Sequence, residues 1–131
     1  MRVVYPSVFT GFSCLAGDCP LTCCIGWSVD IDAESLERYQ SLAGAAGEMV
    51  RSHLVKDDGA YSFTVTPEGH CWFLDGDGLC RMQKEFGMDA LCDTCRFFPR
   101  ISWNAGSYVQ FSMDLACPEV CRMAFTRPLS F

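Results

Sequence analysis

No stretch of the chain approaches the ~18 consecutive apolar residues of a membrane-spanning helix. The opening residues, Met1-Arg2-Val3-Val4-Tyr5-Pro6, lack the apolar run and small-residue cleavage site of a secretory leader. Repeats, low-complexity linkers and blocks of a single charge are also missing. Basic residues are outnumbered, 10 Lys and Arg against 16 Asp and Glu, giving a formal net charge of −6. That balance excludes a nucleic-acid sleeve or an anionic-membrane binder, since both need a basic face. Together these absences predict a cytoplasmic protein with neither nucleic acid nor membrane as partner. What remains is 131 residues, 50% hydrophobic and 20% charged, which reads as one soluble domain over residues 1–131.

A chain of this length can bury a core without covalent staples. It nevertheless carries 10 cysteines: Cys14, Cys19, Cys23, Cys24, Cys71, Cys80, Cys92, Cys95, Cys117 and Cys121. An even number permits disulfides, but those require an oxidising compartment, for which no signal is present. In a reducing cytosol the same density points to thiolates gathered on a metal. The spacing agrees. Cys14, Cys19, Cys23 and Cys24 crowd together, Cys71 and Cys80 bracket an aromatic and glycine-rich loop, and Cys92-Asp93-Thr94-Cys95 has metal-ligand spacing. Zinc and iron–sulfur clusters both use such ligands. Two Cys-Pro dipeptides, Cys19-Pro20 and Cys117-Pro118, suit a cluster, because proline fixes the chain beside a ligand. Of the two histidines, His70 is an outside ligand candidate beside Cys71, and His53 reads as solvated.

The elements between the cysteines read as short. Trp27-Ser28-Val29-Asp30-Ile31 alternates as a strand, and Asp32 or Asp30 caps a helix with Leu36 and Tyr39 on one face. A second helix is expected over 48–55, a strand at Tyr61-Ser62-Phe63-Thr64-Val65, and a pairing of Cys71–Leu74 with it. Asp75-Gly76-Asp77-Gly78 is a turn, followed by a helix over 79–86 that Gly87 ends. Asp89 is expected to cap a short helix carrying Cys92 and Cys95, which Pro99 stops. A strand over 107–115 follows, and Pro118 opens a last helix with Cys117 and Cys121 near one face. The fold expected is α+β: a small, metal-organised single domain with short helices and a small antiparallel sheet. Bound metal would contribute folding energy to elements this short.

Four stretches in this order resemble the N-terminal region of the flagellin lysine-N-methylase family and the related YkgJ-type zinc- or iron-chelating proteins. They are Phe12-Ser13-Cys14 through Cys19 with Thr22-Cys23-Cys24-Ile25-Gly26-Trp27 and Asp30-Ile31-Asp32; Cys71-Trp72-Phe73-Leu74 with Gly78-Leu79-Cys80-Arg81-Met82-Gln83 and Phe86-Gly87; Thr94-Cys95-Arg96-Phe97-Phe98-Pro99-Arg100; and Leu115-Ala116-Cys117-Pro118-Glu119. The resemblance implies methyl transfer from S-adenosylmethionine to lysines of flagellin or another lysine-bearing protein. It also implies a cysteine-held iron–sulfur cluster, of the 4Fe–4S type, with zinc as the alternative metal. Carried over by position, the ligand set is Cys14, Cys19, Cys23, Cys24, Cys71, Cys80, Cys95 and Cys117, with Cys92 and Cys121 in a second tier. Eight thiolates suffice for two four-ligand sites, or for one cluster with thiols in reserve.

Two familiar ways of using S-adenosylmethionine find no support in the spacing. Reductive cleavage usually employs three cysteines spaced three and then two residues apart; Cys19 and Cys23 give the first interval, but the third position is Gly26. No Gly-x-Gly turn between a strand and a helix is present for a Rossmann site. The carboxylates Asp30, Asp32, Asp75, Asp77 and Asp114 read as caps and turn formers before catalytic groups, and none is assigned a catalytic role. Arg96 and Arg100 either neutralise a thiolate cluster, grip a carboxylate or lie idle on the surface. Trp27, Trp72, Phe73, Phe97 and Phe98, each close to a cysteine, are expected to wall a metal site from water. The alternative to an enzyme is a structural zinc or iron module that folds a partner-binding surface.

Overall fold

The computed structural model describes residues 1–130, which fall into two compact units: Cys24–Arg96, and Met1–Cys23 together with the chain from Phe97 onward. Each unit is described by itself.

In Cys24–Arg96 the elements are α2 (Ala33–Ser41), α3 (Gly44–Ser52), the hairpin β2 (Leu54–Asp57) and β3 (Ala60–Phe63), α4 (Arg81–Phe86) and the start of α5 (Asp93–Phe97). Before them in the chain come β1 (Arg2–Val4) and α1 (Ser7–Gly11), which belong to the other unit. Asp32 caps α2 as expected, its side chain accepting the Ser35 N–H. The helix turns Ser35 and Tyr39 inward. At its far end the guanidinium of Arg51 collects the carbonyls that α2 leaves unpaired, donating to Leu42 at 2.5 Å and to Tyr39 at 3.2 Å. The core of this unit is Val29, Ile31, Tyr39, Val50, Phe63, Cys71, Phe73, Met82, Leu91 and Cys92. Two of these are cysteines, so the thiol-bearing segments are built into the core.

Several expected boundaries move. Residues 27–31 pair with β3 only around Asp30, in an isolated bridge to Ser62: the Ile31 N–H donates to the Tyr61 carbonyl at 2.9 Å and the Phe63 N–H to the Val29 carbonyl at 3.4 Å, a ladder too short to make a strand, while Val29 and Ile31 turn into the core. The helix expected over 48–55 starts earlier, at Gly44, and ends at Ser52; Leu54 and Val55 join β2, pairing with Phe63 and Ser62. β-branched Val55 suits a strand better than a helix end. Cys71 does pair beside β3, through a bridge to Val65 and the Trp72 N–H to the Thr64 carbonyl at 2.9 Å. Gly87 ends α4 at φ 83°, a conformation that favours glycine.

In the other unit β1, β4 (Arg100–Asn104) and β5 (Tyr108–Met113) form a sheet in the order β1-β5-β4, with α6 (Pro118–Thr126) closing the chain. The architecture is α+β, but the sheet is mixed where an antiparallel one was expected. β4 and β5 are antiparallel, whereas β1 runs parallel to β5 with Arg2 opposite Tyr108. Three residues long, β1 is too short to show a period, and its partner lies at the other end of the chain. Pro118 occupies the first turn of α6, and Val120 and Met123 are its buried face. Arg100 lies over the rings of Phe9 and Phe12, at 5.8 and 5.2 Å, so its charge stacks on aromatics and does not lie idle, and among the described residues it grips no carboxylate.

Gly47 sets a limit on α3. A Cβ there would sit 1.8 Å from the Leu42 carbonyl oxygen, a backbone atom that cannot swing aside. Gly47→Ala should therefore lose about 1–3 kcal/mol or more through overpacking, despite alanine's better helix propensity. Urea unfolding followed by far-UV circular dichroism checks this; a stabilised variant would mean α2 and α3 do not approach this closely.

Candidate metal centre

Of the ten cysteines, none is in a disulfide among the described residues. Five lie in Cys24–Arg96, and there the structure brings them together: Cys24, Cys71, Cys80, Cys92 and Cys95. Cys80 shares a thiol hydrogen bond with Cys24, and Cys95 shares one with Cys92. The two pairs are neighbours, since Cys95 feels the charges of Cys80 and Cys24, and Cys71 feels those of Cys80 and Cys92. Cys92 is 0% exposed and Cys71 8%, and the other three pack against the same core.

Local structure explains the gathering. The Cys71 N–H donates to the Cys24 carbonyl at 2.7 Å, fixing those two segments side by side. The loop from Cys71 to Cys80 is closed by Asp75, whose Oδ1 accepts the N–H groups of Asp77 and Leu79 at 2.9 and 3.0 Å. Lys84 secures the other oxygen of Asp75 at 2.5 Å. Its ammonium and the Leu79 N–H hold the Asp75 carboxyl below the usual carboxylate range. Asp75 thus acts as the turn former that was expected, and Leu74 bridges to Cys80 across the loop. Trp72, next to Cys71, meets the guanidinium of Arg81, next to Cys80, at 5.0 Å. The loop ends are therefore clasped by a cation on an indole.

The helix carrying Cys95 does not start where expected. Asp89 lies in a 3₁₀ turn and pairs with Arg96 at 3.7 Å, so Arg96 does grip a carboxylate. α5 begins at Asp93, whose N–H goes instead to Asp32 Oδ1 at 2.8 Å. Burial works to raise the Asp32 carboxyl, but the N–H groups of Asp93 and Ser35 outweigh it and hold the group below its usual range.

The electrostatics follow from pairing and burial. The shared hydrogen bond to Cys24, reinforced by burial, holds the Cys80 proton well above the ordinary thiol range. Cys95 is likewise raised, first by its bond to Cys92 and then by burial, while Cys92, accepting that bond, is lowered. Burial raises Cys71. Among the described residues no three His, Cys, Asp or Glu side chains stand as they are in an arrangement that would hold a metal ion. Four of the five sulfurs instead pair through S–H···S contacts, Cys24 with Cys80 and Cys92 with Cys95, while Cys71 is hydrogen-bonded to the Phe73 backbone. As a donor set they fit a thiophilic metal: all are sulfur, they come from separate segments, and loss of their protons would replace mutual hydrogen bonds by bonds to a central cation.

Phe73 is 1% exposed and Trp72 half-buried beside the thiols; Trp27 is 39% exposed, and Phe97 and Phe98 belong to the other unit. His53 is not simply solvated. Its ring stacks on Trp72 at 3.4 Å and its Nδ1 lies 2.8 Å from the Met49 carbonyl, because a flat imidazole matches the indole face. His70 is engaged through its backbone, its carbonyl accepting the Thr66 N–H at 2.7 Å.

The other five cysteines, Cys14, Cys19, Cys23, Cys117 and Cys121, lie in the other unit. Cys14 Sγ accepts the Ala16 N–H at 3.4 Å, Cys19 follows a 3₁₀ turn, and Cys117 caps α6 one turn before Cys121. The division therefore splits the eight expected ligands evenly and adds one second-tier cysteine to each set. Cys92, in that second tier, is the most buried of all. Its signal was the Cys-x-x-Cys spacing with Cys95.

The chain is similar to the lysine-N-methylase of Salmonella choleraesuis, 34% identical over 134 residues that cover 98% of this chain and 33% of that protein. The lysine-N-methylase of Salmonella typhimurium is 33% identical with the same coverage. The flagellar biosynthetic protein FliU of Salmonella muenchen is 33% identical over 98% of this chain and 79% of its own length. This chain thus spans about a third of the lysine-N-methylases it matches. No sequence profile of a known family matches it, and no solved structure matches it.

Proposed function

The chain belongs to the family of the Salmonella lysine-N-methylases and FliU, and from that membership we propose that it is the metal-holding region of a protein-lysine methyltransferase. The reaction is methyl transfer from S-adenosylmethionine to lysine side chains of flagellin or another lysine-bearing protein. The metal is a 4Fe–4S cluster. The observation that carries the reading is the gathering of Cys24, Cys71, Cys80, Cys92 and Cys95 in one unit, where they would hold it. When bound, a cluster supplies a redox-active centre and cross-links the segments that carry its ligands.

The chain's own residues do the rest. Asp75 and Lys84 keep the Cys71–Cys80 loop closed, the Arg81–Trp72 contact clasps its ends, and Phe73 keeps water from the sulfurs. A net charge of −6 favours approach of a lysine-bearing partner. Methyl transfer requires that lysine to be unprotonated and in line with the sulfonium methyl. Membrane partners are not part of the proposal, and no helix among the described residues is long and apolar enough to cross a membrane.

Anaerobic purification with iron, sulfide and zinc analysis tests the metal. The expected result is about four irons and four sulfides per chain, with the brown absorption of a thiolate-held cluster. One or two zincs without sulfide would replace the cluster by a zinc-organised binding module. Titration with S-adenosylmethionine then tests the methyl donor.

A further inference from the structure

A helix cap needs one oxygen, and Asp32 uses two. Oδ2 accepts the Ser35 N–H at 2.9 Å, which serves α2. Oδ1 accepts the Asp93 N–H at 2.8 Å, from a residue 61 positions away that lies between Cys92 and Thr94. The adjoining backbone is used in the same direction. The Asp30 carbonyl accepts the Thr94 hydroxyl at 2.9 Å and faces Cys92 Sγ at 4.0 Å. Cys92, Asp93 and Thr94 are thus each tied to Asp30 or Asp32, and Cys95 is tied to Cys92 through its thiol. α2 fixes the approach to this segment as well, through Arg38 to the Asp89 carbonyl at 2.6 Å and Tyr39 to the Ala90 carbonyl at 2.7 Å.

We propose that Asp32 is the positioning residue of the thiol centre, presetting the Cys92–Cys95 pair by bridging the start of α2 to the start of α5. This rests on the reading of Cys24–Arg96 as the metal-holding unit. A Cys-x-x-Cys segment left loose must be ordered when metal arrives, at a cost in conformational entropy for each residue fixed. Here that ordering is already done by a carboxylate that touches neither sulfur. Groups that orient metal ligands in this way typically cost 10–100-fold in affinity when removed.

Asp32→Ser separates the two duties. Serine ranks with aspartate as an N-cap, so the Ser35 N–H keeps its acceptor, but its short single hydroxyl does not also span to Asp93. Asp32→Ala removes both, and Thr94→Val removes only the bond to the Asp30 carbonyl. Each variant of the full chain is compared with wild type by thermal unfolding without metal, by Co²⁺ titration against a competing chelator, and by the labelling rate of Cys92 read by mass spectrometry. Asp32→Ser is expected to unfold near the wild-type temperature, yet bind Co²⁺ about 10–100-fold more weakly and expose Cys92 to faster labelling. Thr94→Val shifts the same two readouts in the same direction. Wild-type Co²⁺ affinity and wild-type Cys92 labelling in Asp32→Ser, with only Asp32→Ala impaired, would reduce Asp32 to a helix cap and overturn the proposal. If the wild-type chain takes up no Co²⁺, the metal reading of this unit fails, and Cys92 labelling alone decides on Asp32. Faster labelling in Asp32→Ser then upholds its role, and an unchanged rate overturns it.

Discussion

Phe73→Ala should destabilise the metal-free protein by about 3–5 kcal/mol, the range for truncating a fully buried phenylalanine. That is a large part of the roughly 5–15 kcal/mol that holds an ordinary domain folded. The expectation follows from where the ring sits. It is 1% exposed and meets Phe63 at 5.1 Å and Trp72 at 5.1 Å, both edge-on, with His53 at 6.1 Å. Edge-to-face contacts of this kind add to the burial of the ring itself. Phe63 in turn touches Tyr39, so one aromatic chain runs from the Cys71 segment through the hairpin to α2. The Phe73 carbonyl also accepts the Arg81 N–H at 2.7 Å, placing the ring at the point where the Cys71 and Cys80 segments meet. Leucine at 73 would keep much of the volume and should cost well under half as much. Equilibrium urea unfolding gives both numbers. A loss below about 1 kcal/mol for Phe73→Ala, the size of an ordinary surface effect, would show that this aromatic group is not the unit's core.

The same region shows what was legible in the sequence. Asp32 before an apolar-periodic stretch announced α2, Gly87 announced the end of α4, Pro118 the start of α6, and Asp75-Gly76 the turn between Cys71 and Cys80. Each of these depends on contacts a few residues apart, which local chemistry specifies. What was not legible depends on partners far along the chain. β1 is a strand only because β5, more than a hundred residues later, lies beside it. The start of α5 was assigned to Asp89, its near neighbour, whereas the acceptor of its Asp93 N–H is Asp32. His53 looked solvated because its stacking partner, Trp72, is nineteen residues on. The cysteines were all visible as candidates, but their division was not: Cys23 and Cys24 adjoin in sequence and fall in different units. No spacing rule separates neighbours in that way.

That division makes the second large expectation. Cys24→Ser with Cys80→Ser should abolish the metal content of the purified chain, because it removes one thiol pair from the set. Serine keeps the size but is a poor ligand for soft, thiolate-loving metals. Where metal binding is coupled to folding, the loss extends to structure: apparent binding energies of roughly 10–16 kcal/mol for thiolate-held zinc show how much a small unit can draw from its metal. The metal-loaded wild type should therefore resist thermal unfolding and lose that resistance when a strong chelator is added, whereas the double variant should unfold at one low temperature with or without chelator. Cys14→Ser with Cys117→Ser is the matching change in the other unit, and it should leave the thiols of Cys24–Arg96 able to load. Metal analysis and differential scanning calorimetry of the two double variants decide the matter. Retained metal in Cys24→Ser with Cys80→Ser, and its loss in Cys14→Ser with Cys117→Ser, would move the centre to the other five cysteines. The paired thiols of the Cys24–Arg96 core would then stand as hydrogen-bonded packing, stabilised by burial alone.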